Sequence, residues 1–284
     1  MLKASFVGEI AVVECQPGEK KLVKKFAQQL LQKHKNIRTV AVKQTITEGK
    51  YRVRKIKVIA GEKKTETLYR ENGCSFKLDL NKAYFSPRLS FERQRVSELA
   101  APGEKVLVLF AGVGPYAIVI ARRILLMERM AEKRAKEKNE KKKTDTKFPK
   151  TEIVGVELNP AAVKYFRENA RLNKVDGMVE IVKADAKKFL AEKQNFGKFD
   201  RITMPLPKTA GEFLEGAVKC CAKGGTIHFY SIESELAENI YAKAEEKISE
   251  ACVKQKRKFR IVNERVALPY APRVVQIVVD FKML

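Results

Sequence analysis

Apolar residues recur along the chain at two different spacings, and the rhythm changes near residue 103. Up to about residue 80, short strand-like runs at 9–14, 39–43, 51–60 and 65–69 surround one helical segment at 20–34. That segment places Leu22, Val23, Phe26, Leu30 and Leu31 at spacings that form one apolar stripe. The pattern predicts a small α+β unit over residues 1–80. Its run at 50–57 largely alternates apolar with cationic residues, which gathers most of the cations on one face. Such a face suits a polyanion, or equally a solvated strand edge guarded by charge.

Beyond Gly103 the pattern becomes strand, turn, helix, repeated. Strands are predicted at 105–110, 152–157, 179–183, 200–204 and 226–231, and helices at 115–127, 160–173, 209–222 and 234–250. Apolar strands alternating with helices imply a parallel sheet covered on both faces, a doubly wound α/β domain over residues 81–284. The end departs from this rhythm. Strands at 258–266 and 274–281 flank the turn-like sequence PYAP and predict an antiparallel hairpin at the sheet edge.

The segment 127–150 interrupts the first βα unit with ten basic and five acidic residues and few apolar ones. It cannot bury a core of its own, and is expected to be a charged, partly helical insertion acting as a spacer or as an arm touching RNA. Charge extends this picture to the whole chain: 58 basic against 34 acidic residues give +24 in 284 residues, spread along the sequence. Phosphate neutralisation makes nucleic acid the natural partner. No apolar run is long enough for a membrane helix and no secretory signal is evident, so a cytoplasmic protein is expected. Five cysteines without a C-x-x-C pair, and two histidines, predict buried reduced thiols and no metal.

Gly112, Gly114 and Ala117 fit G-x-G-x-x-A between a strand and a helix, where backbone can approach a ligand at a helix N-terminus. The next strand ends in Glu157, placed to accept from ribose hydroxyls. Glu157 lies 45 positions after Gly112, and removing the 24-residue insertion leaves 21, close to the ~20 of a normal dinucleotide-binding unit. Asp185 closes the third strand, where its carboxylate can accept from an adenine amino group or cap the following helix. MPLP at 204–207 closes the fourth. These strand ends favour S-adenosylmethionine over a nicotinamide cofactor.

The segments YRVR (51–54), ENGC (71–74), AYFSPRLSFERQR (83–95), FAGVGPY (110–116), GTIHFY (225–230) and YAP (270–272) resemble the archaeal and eukaryotic tRNA guanine-37 N1-methyltransferases. The resemblance covers almost all of the chain outside the insertion. It implies a class I, Rossmann-like domain with a seven-stranded sheet, S-adenosyl-L-methionine as cofactor, and the tRNA anticodon stem-loop as partner. By the same resemblance, Glu92 is the general base for the guanine N1 proton and Arg52 donates to O6 as charge develops there. Tyr84 lines the pocket of a flipped base. Arg93, Phe110, Gly112, Gly114, Glu157, Leu158, Asp185, Ala186 and Pro205 match cofactor-contacting positions. His228 is read as a satisfied core histidine and Tyr270 as packing.

Two positions depart from the family. Pro205 stands where an asparagine is usual and has neither an amide side chain nor a backbone donor. Val108 lies where an acidic residue is expected. The further N-terminal domain that relatives use to inspect tRNA shape is not expected in a chain of this length, so distributed basic surface would replace part of that grip. Two other readings share the motifs: an aminocarboxypropyltransferase of the wybutosine pathway using the same cofactor, and a weakly active RNA-binding relative. A monomer is the default.

Overall fold

The computed structural model describes residues 2–15, 19–44, 51, 53, 55–137 and 150–284. Strands β1 (Lys3–Val7), β2 (Ile10–Glu14), β3 (Thr39–Lys43) and β4 (Ile56–Gly61) form a sheet in that order. β2 and β3 are parallel, so their connection must cross a face, and α1 (Lys20–Lys33) is that crossover. Its Val23, Ala27 and Leu30 bury against Ala11, Val13 and Val40. The opposite face offers Val7, Ile10, Val12, Ala41 and Ile56, which pack on Leu80, Ala83, Val113, Ala162 and Tyr165 of the following unit. The small sheet is thus clamped between its helix and the following unit. β1 was not expected, and the run expected at 51–60 is strand from Ile56 onward; residues 50, 52 and 54 lie outside the described residues.

A hairpin follows, β5 (Glu66–Glu71) and β6 (Cys74–Asp79), turning at Asn72 and Gly73, whose φ values of 48° and 69° are the left-handed pair that a two-residue hairpin needs. Then come α2 (Ser90–Leu99), β7 (Lys105–Leu109), α3 (Pro115–Glu137), β8 (Glu152–Glu157), α4 (Pro160–Leu172), β9 (Val179–Lys183), α5 (Ala186–Ala191), β10 (Phe199–Met204), α6 (Leu214–Cys220), β11 (Cys221–Ser234), α7 (Ala242–Lys254), β12 (Phe259–Ala271) and β13 (Val274–Met283). Among the described residues the large sheet has seven strands in the order β12-β13-β11-β10-β7-β8-β9. β11, β10, β7, β8 and β9 run parallel, and β13 and β12 return antiparallel at one edge. The expected doubly wound architecture is present.

β6 docks on α4 through two asparagines. Asn169 Oδ1 accepts from Lys77 N at 2.7 Å and its Nδ2 donates to Lys77 O at 3.0 Å. One turn on, Asn173 repeats this with Ser75 N and O at 2.9 and 2.7 Å. Each carboxamide completes both backbone groups of a strand residue, as a neighbouring strand would.

Several element boundaries differ from those expected. α3 continues ten residues past 127, into the charged segment, and residues 138–149 lie outside the described ones. The helix expected at 209–222 shortens to a 3₁₀ turn at Ala210–Phe213 and α6, because β11 starts at Cys221. The helix expected at 234–250 is displaced to Ala242–Lys254. β12 runs through Pro269 to Ala271, so the reversal falls at Pro272 and Arg273. Proline is tolerated there because β12 is the sheet's edge and its outward side needs no donor. No described helix is long and apolar enough to cross a membrane.

Candidate active site at the carboxyl edge of the sheet

The glycine loop leaves β7 through an unusual backbone. Phe110, Gly112 and Gly114 all have positive φ, 54°, 57° and 89°. Phe110 bears this left-handed conformation with a side chain, which packs edge-on to Phe213 at 4.8 Å. At Gly114 only glycine fits: a Cβ there would lie 2.1 Å from the Phe166 ring. At Gly112 a Cβ would meet only the Tyr84 carbonyl oxygen, at 3.8 Å, so the loop is open toward the segment carrying Tyr84.

Glu157 ends β8 beside this loop. Its Oε2 accepts from Gly112 N and its Oε1 from Asn159 N, each at 2.7 Å. Burial raises the Glu157 carboxyl above its ordinary value, while the backbone donors at Asn159, Gly112 and Leu158 pull it back down. Asn159 caps α4 through Ala161 N at 3.0 Å and donates to Lys82 O at 2.7 Å, which fixes the strand end. Asp185 caps α5: its Oδ1 accepts from Lys187 N at 2.8 Å and Lys188 N at 3.4 Å. Leu158 and Pro205 are half-buried, and Ala186 is buried. Glycine loop, Glu157, Leu158, Asp185, Ala186 and Pro205 therefore stand at the carboxyl ends of four adjacent parallel strands, where doubly wound sheets bind their ligands.

The donor set fits S-adenosylmethionine. A glycine-lined backbone turn at a helix start, a carboxylate with lone pairs left for ribose hydroxyls, and a second carboxylate on the neighbouring strand end are the groups that an adenosine needs.

Beside this edge lies a cleft of about 520 Å³, walled by the small sheet, the segment from Ala83 to Leu89 and the β12–β13 hairpin. Tyr84, 45% exposed, and Arg88 line it. Arg88 also donates to the Pro269 carbonyl, tying the segment to the hairpin. Tyr270, expected as packing, lines the cleft too and carries Lys208 over its ring at 5.8 Å. Gln276 lies in the wall, 4% exposed, and its Nε2 has no hydrogen-bond partner among the described residues.

The residues expected to act on the base fare differently. Arg52 lies outside the described residues. Glu92 sits in the first turn of α2, 1% exposed, bonded to Arg95 and to the Tyr230 hydroxyl. Arg93, expected at the cofactor, is committed elsewhere: it is buried, forks onto Glu71 at 2.5 and 2.6 Å, donates to Ser86 O at 3.0 Å and lies over the Phe85 ring. His228 is a fully buried, bonded core histidine, as expected. Sequence reasoning missed Arg95, Tyr230, Asp280 and Gln276. Their only sequence signal is a polar residue in an otherwise apolar strand, or a second arginine three positions after Glu92.

Residues 67–130 and 145–262 match the TRM5/TYW2 methyltransferase domain, and residues 5–65 match the TYW2 N-terminal domain. The chain belongs to the TRM5/TYW2 methyltransferase family. The break in the family match falls inside the charged segment, which is what an insertion into a TRM5/TYW2 domain produces. The chain is 38% identical to the tRNA (guanine(37)-N(1))-methyltransferase Trm5b of Pyrococcus abyssi, over 98% of its own length and 73% of that protein's. The crystal structure of that Trm5b superposes with a TM-score of 0.80 at 37% identity, covering 99% of this chain and 74% of the other. An aTrm5 solved in complex with tRNALeu gives 0.79 at 26% identity, covering 100% and 72%.

Proposed function

We propose that this protein transfers the methyl group of S-adenosylmethionine to N1 of guanine 37 in tRNA. The observation that carries this reading is the chain-long similarity to a tRNA (guanine(37)-N(1))-methyltransferase, because it spans both the cofactor edge and the small sheet that walls the cleft. The bound cofactor supplies an electrophilic methyl on a sulfonium. The chain's own residues hold and prepare the rest. Glu157 takes the ribose hydroxyls, Asp185 the adenine amino group, and the backbone from Phe110 to Gly114 cradles the ligand. Leu158, Ala186 and Pro205 flank it.

Guanine N1 bears a proton and is a poor nucleophile until that proton leaves. Glu92 is the base that receives it, and Arg52 donates to O6 as negative charge collects there. Tyr84 lines the cleft into which the target base turns out of its stack. The anticodon stem-loop is the part of tRNA presented, gripped by distributed cations that include the insertion. The enzyme works as a cytoplasmic monomer of two units, with the small sheet at the amino end supplying one wall of the guanine site.

Incubation of unmodified tRNA with the protein and methyl-labelled S-adenosylmethionine, followed by mass-spectrometric mapping, tests the reading. Label at guanine 37 with release of S-adenosylhomocysteine is expected, and Glu92→Gln should lose most of the turnover. Methylthioadenosine in the same mixture would instead indicate aminocarboxypropyl transfer.

A further inference from the structure

We infer that Arg95, braced by Asp280, is a positioning residue that presets Glu92 for proton abstraction and leaves Oε2 as the receiving oxygen. This rests on reading Glu92 as the base. The two oxygens of its carboxylate are not equivalent. Oε1 accepts from Arg95 Nη2 at 2.6 Å, from Arg95 Nε at 3.0 Å and from the Tyr230 hydroxyl at 2.7 Å. Oε2 accepts from Arg95 Nε alone among the described residues, at 3.1 Å. A carboxylate oxygen has about two lone pairs. Oε1 is therefore saturated, and an arriving proton finds its open lone pair on Oε2.

The Tyr230 hydroxyl is a dependable donor. Its phenol is fully buried, and burial, reinforced by Tyr116 and Glu92 beside it, raises it well above its ordinary value. Tyr116 supports it from behind, donating to the Tyr230 oxygen at 3.3 Å.

The other edge of Arg95 is fixed by Asp280, with Nη1 to Oδ2 at 2.6 Å and Nη2 to Oδ1 at 3.3 Å. Asp280 also accepts from Asn263 Nδ2 at 3.1 Å and meets His228 Nδ1 at 2.6 Å. On the far side of the ring, His228 Nε2 lies 2.9 Å from Arg201 Nη1. A guanidinium has no acceptor, so Nε2 must accept and Nδ1 carries the hydrogen donated to Asp280. Arg201 is held in turn by Glu104 at 2.7 and 2.9 Å and by the Leu99 carbonyl at 2.5 Å. Although burial opposes ionisation, the His228 ring and Arg95 together hold the Asp280 carboxyl far below the usual carboxylate range.

A line of bonded side chains thus crosses beneath α2, from Glu104 just before β7 to the first turn of α2. Buried ion pairs contribute little net stability compared with apolar packing, so stability alone is a poor reason for such a line. What it does achieve is orientation. Arg95 cannot rotate without leaving Asp280, and Glu92 cannot rotate without leaving Arg95 and Tyr230. A planar fork fixes both oxygens of a carboxylate, which the point charge of a lysine does not.

Single-turnover methyl transfer by the full chain, at saturating cofactor and unmodified tRNA, tests this. Arg95→Lys should slow the methyl-transfer step by about tenfold or more while cofactor and tRNA dissociation constants stay within about twofold, since only the reacting geometry is lost. Asp280→Asn, which keeps the shape but turns one of the two accepting oxygens into a donor facing donors, should give a loss of the same kind and serves if Arg95→Lys does not fold. In a Glu92→Gln background neither substitution should cost anything further, because both act through that carboxylate. Losses that multiply in the double variants, or a loss confined to tRNA affinity, would overturn the proposal. Undiminished transfer by Glu92→Gln alone would remove the base itself, a separate result that takes this inference with it.

Discussion

Gly112 donates its backbone N–H to Glu157 Oε2 at 2.7 Å, so the glycine loop is fastened to the same carboxylate that we propose takes the ribose hydroxyls. The oxygen keeps a lone pair beyond the one Gly112 uses. Loop and strand end are therefore held in register before any ligand arrives.

The charge on Glu157 should make cofactor binding pH-dependent. Burial raises its carboxyl above the ordinary value, and ribose hydroxyls donate best to the ionised form. Affinity should be full at neutral pH and fall on acidification at a higher pH than the ~4.3 of an unperturbed glutamate. The stability contribution has the opposite sign: with a raised folded value, it is present below the unfolded value and lost as pH rises through the folded one. Calorimetric titration of S-adenosylmethionine between about pH 5 and pH 7.5 reads the first effect. Glu157→Gln should bind more weakly throughout and lose the slope.

Gly114→Ala should be severely destabilising. The added methyl would sit 2.1 Å from Phe166, at a φ of 89° that side chains rarely adopt. Backbone strain and overpacking together suggest a loss of roughly 2–5 kcal/mol. Urea unfolding measures it, and a loss below about 1 kcal/mol would show that the loop relaxes freely.

Gln276 belongs to the wall of the cleft of about 520 Å³ and carries a buried amide donor without a partner among the described residues. Gln276→Met keeps the volume and removes the unsatisfied amide, so the free protein should gain about 1 kcal/mol. If that donor meets an acceptor on the bound base, tRNA turnover should fall at the same time. Thermal melts and steady-state kinetics on one preparation decide the matter, and a stabler variant with unchanged kinetics would leave the amide without a role.

Deleting residues 138–149 removes five lysines from the charged insertion. tRNA affinity should drop and its dependence on salt should become shallower, by about 0.9 in slope for each phosphate that is no longer neutralised. Identical slopes for the two proteins would assign the insertion a spacer role.

Burial raises the Cys74 and Cys252 thiols to about 11 and the Cys220 and Cys221 thiols to about 12, whereas Cys15 is exposed. Since the thiolate is the nucleophile, iodoacetamide at pH 8 should label native protein at Cys15 and spare the other four, as peptide mapping will show.

The large sheet was legible because its strands are apolar and punctuated by glycine, and four of them, β7, β8, β9 and β10, fall at their expected ends or within a residue. The insertion was legible because one deletion restored a normal spacing between Gly112 and Glu157. What escaped detection is long-range. β6 buries Cys74, Phe76 and Leu78 in alternation, but the run is short and its edge partners are side chains of α4. The start of β11 replaced the end of an amphipathic pattern because pairing with β10 begins at Cys221. At the site, Glu92 and Asp185 stood out through their motif and strand-end positions. Asp280 lies 185 positions from Arg95, and no local pattern marks such a pair.

The carboxamides of Asn169 and Asn173 act as a substitute strand for β6, and this decides where the polypeptide can be divided. A fragment starting after that hairpin would confront water with two amides matched to an absent backbone, and with the apolar ground on which Phe76 and Leu78 rest. Protease cuts that release a viable catalytic fragment should therefore fall ahead of Glu66. Any exchange of amino-terminal modules between relatives has to respect that seam.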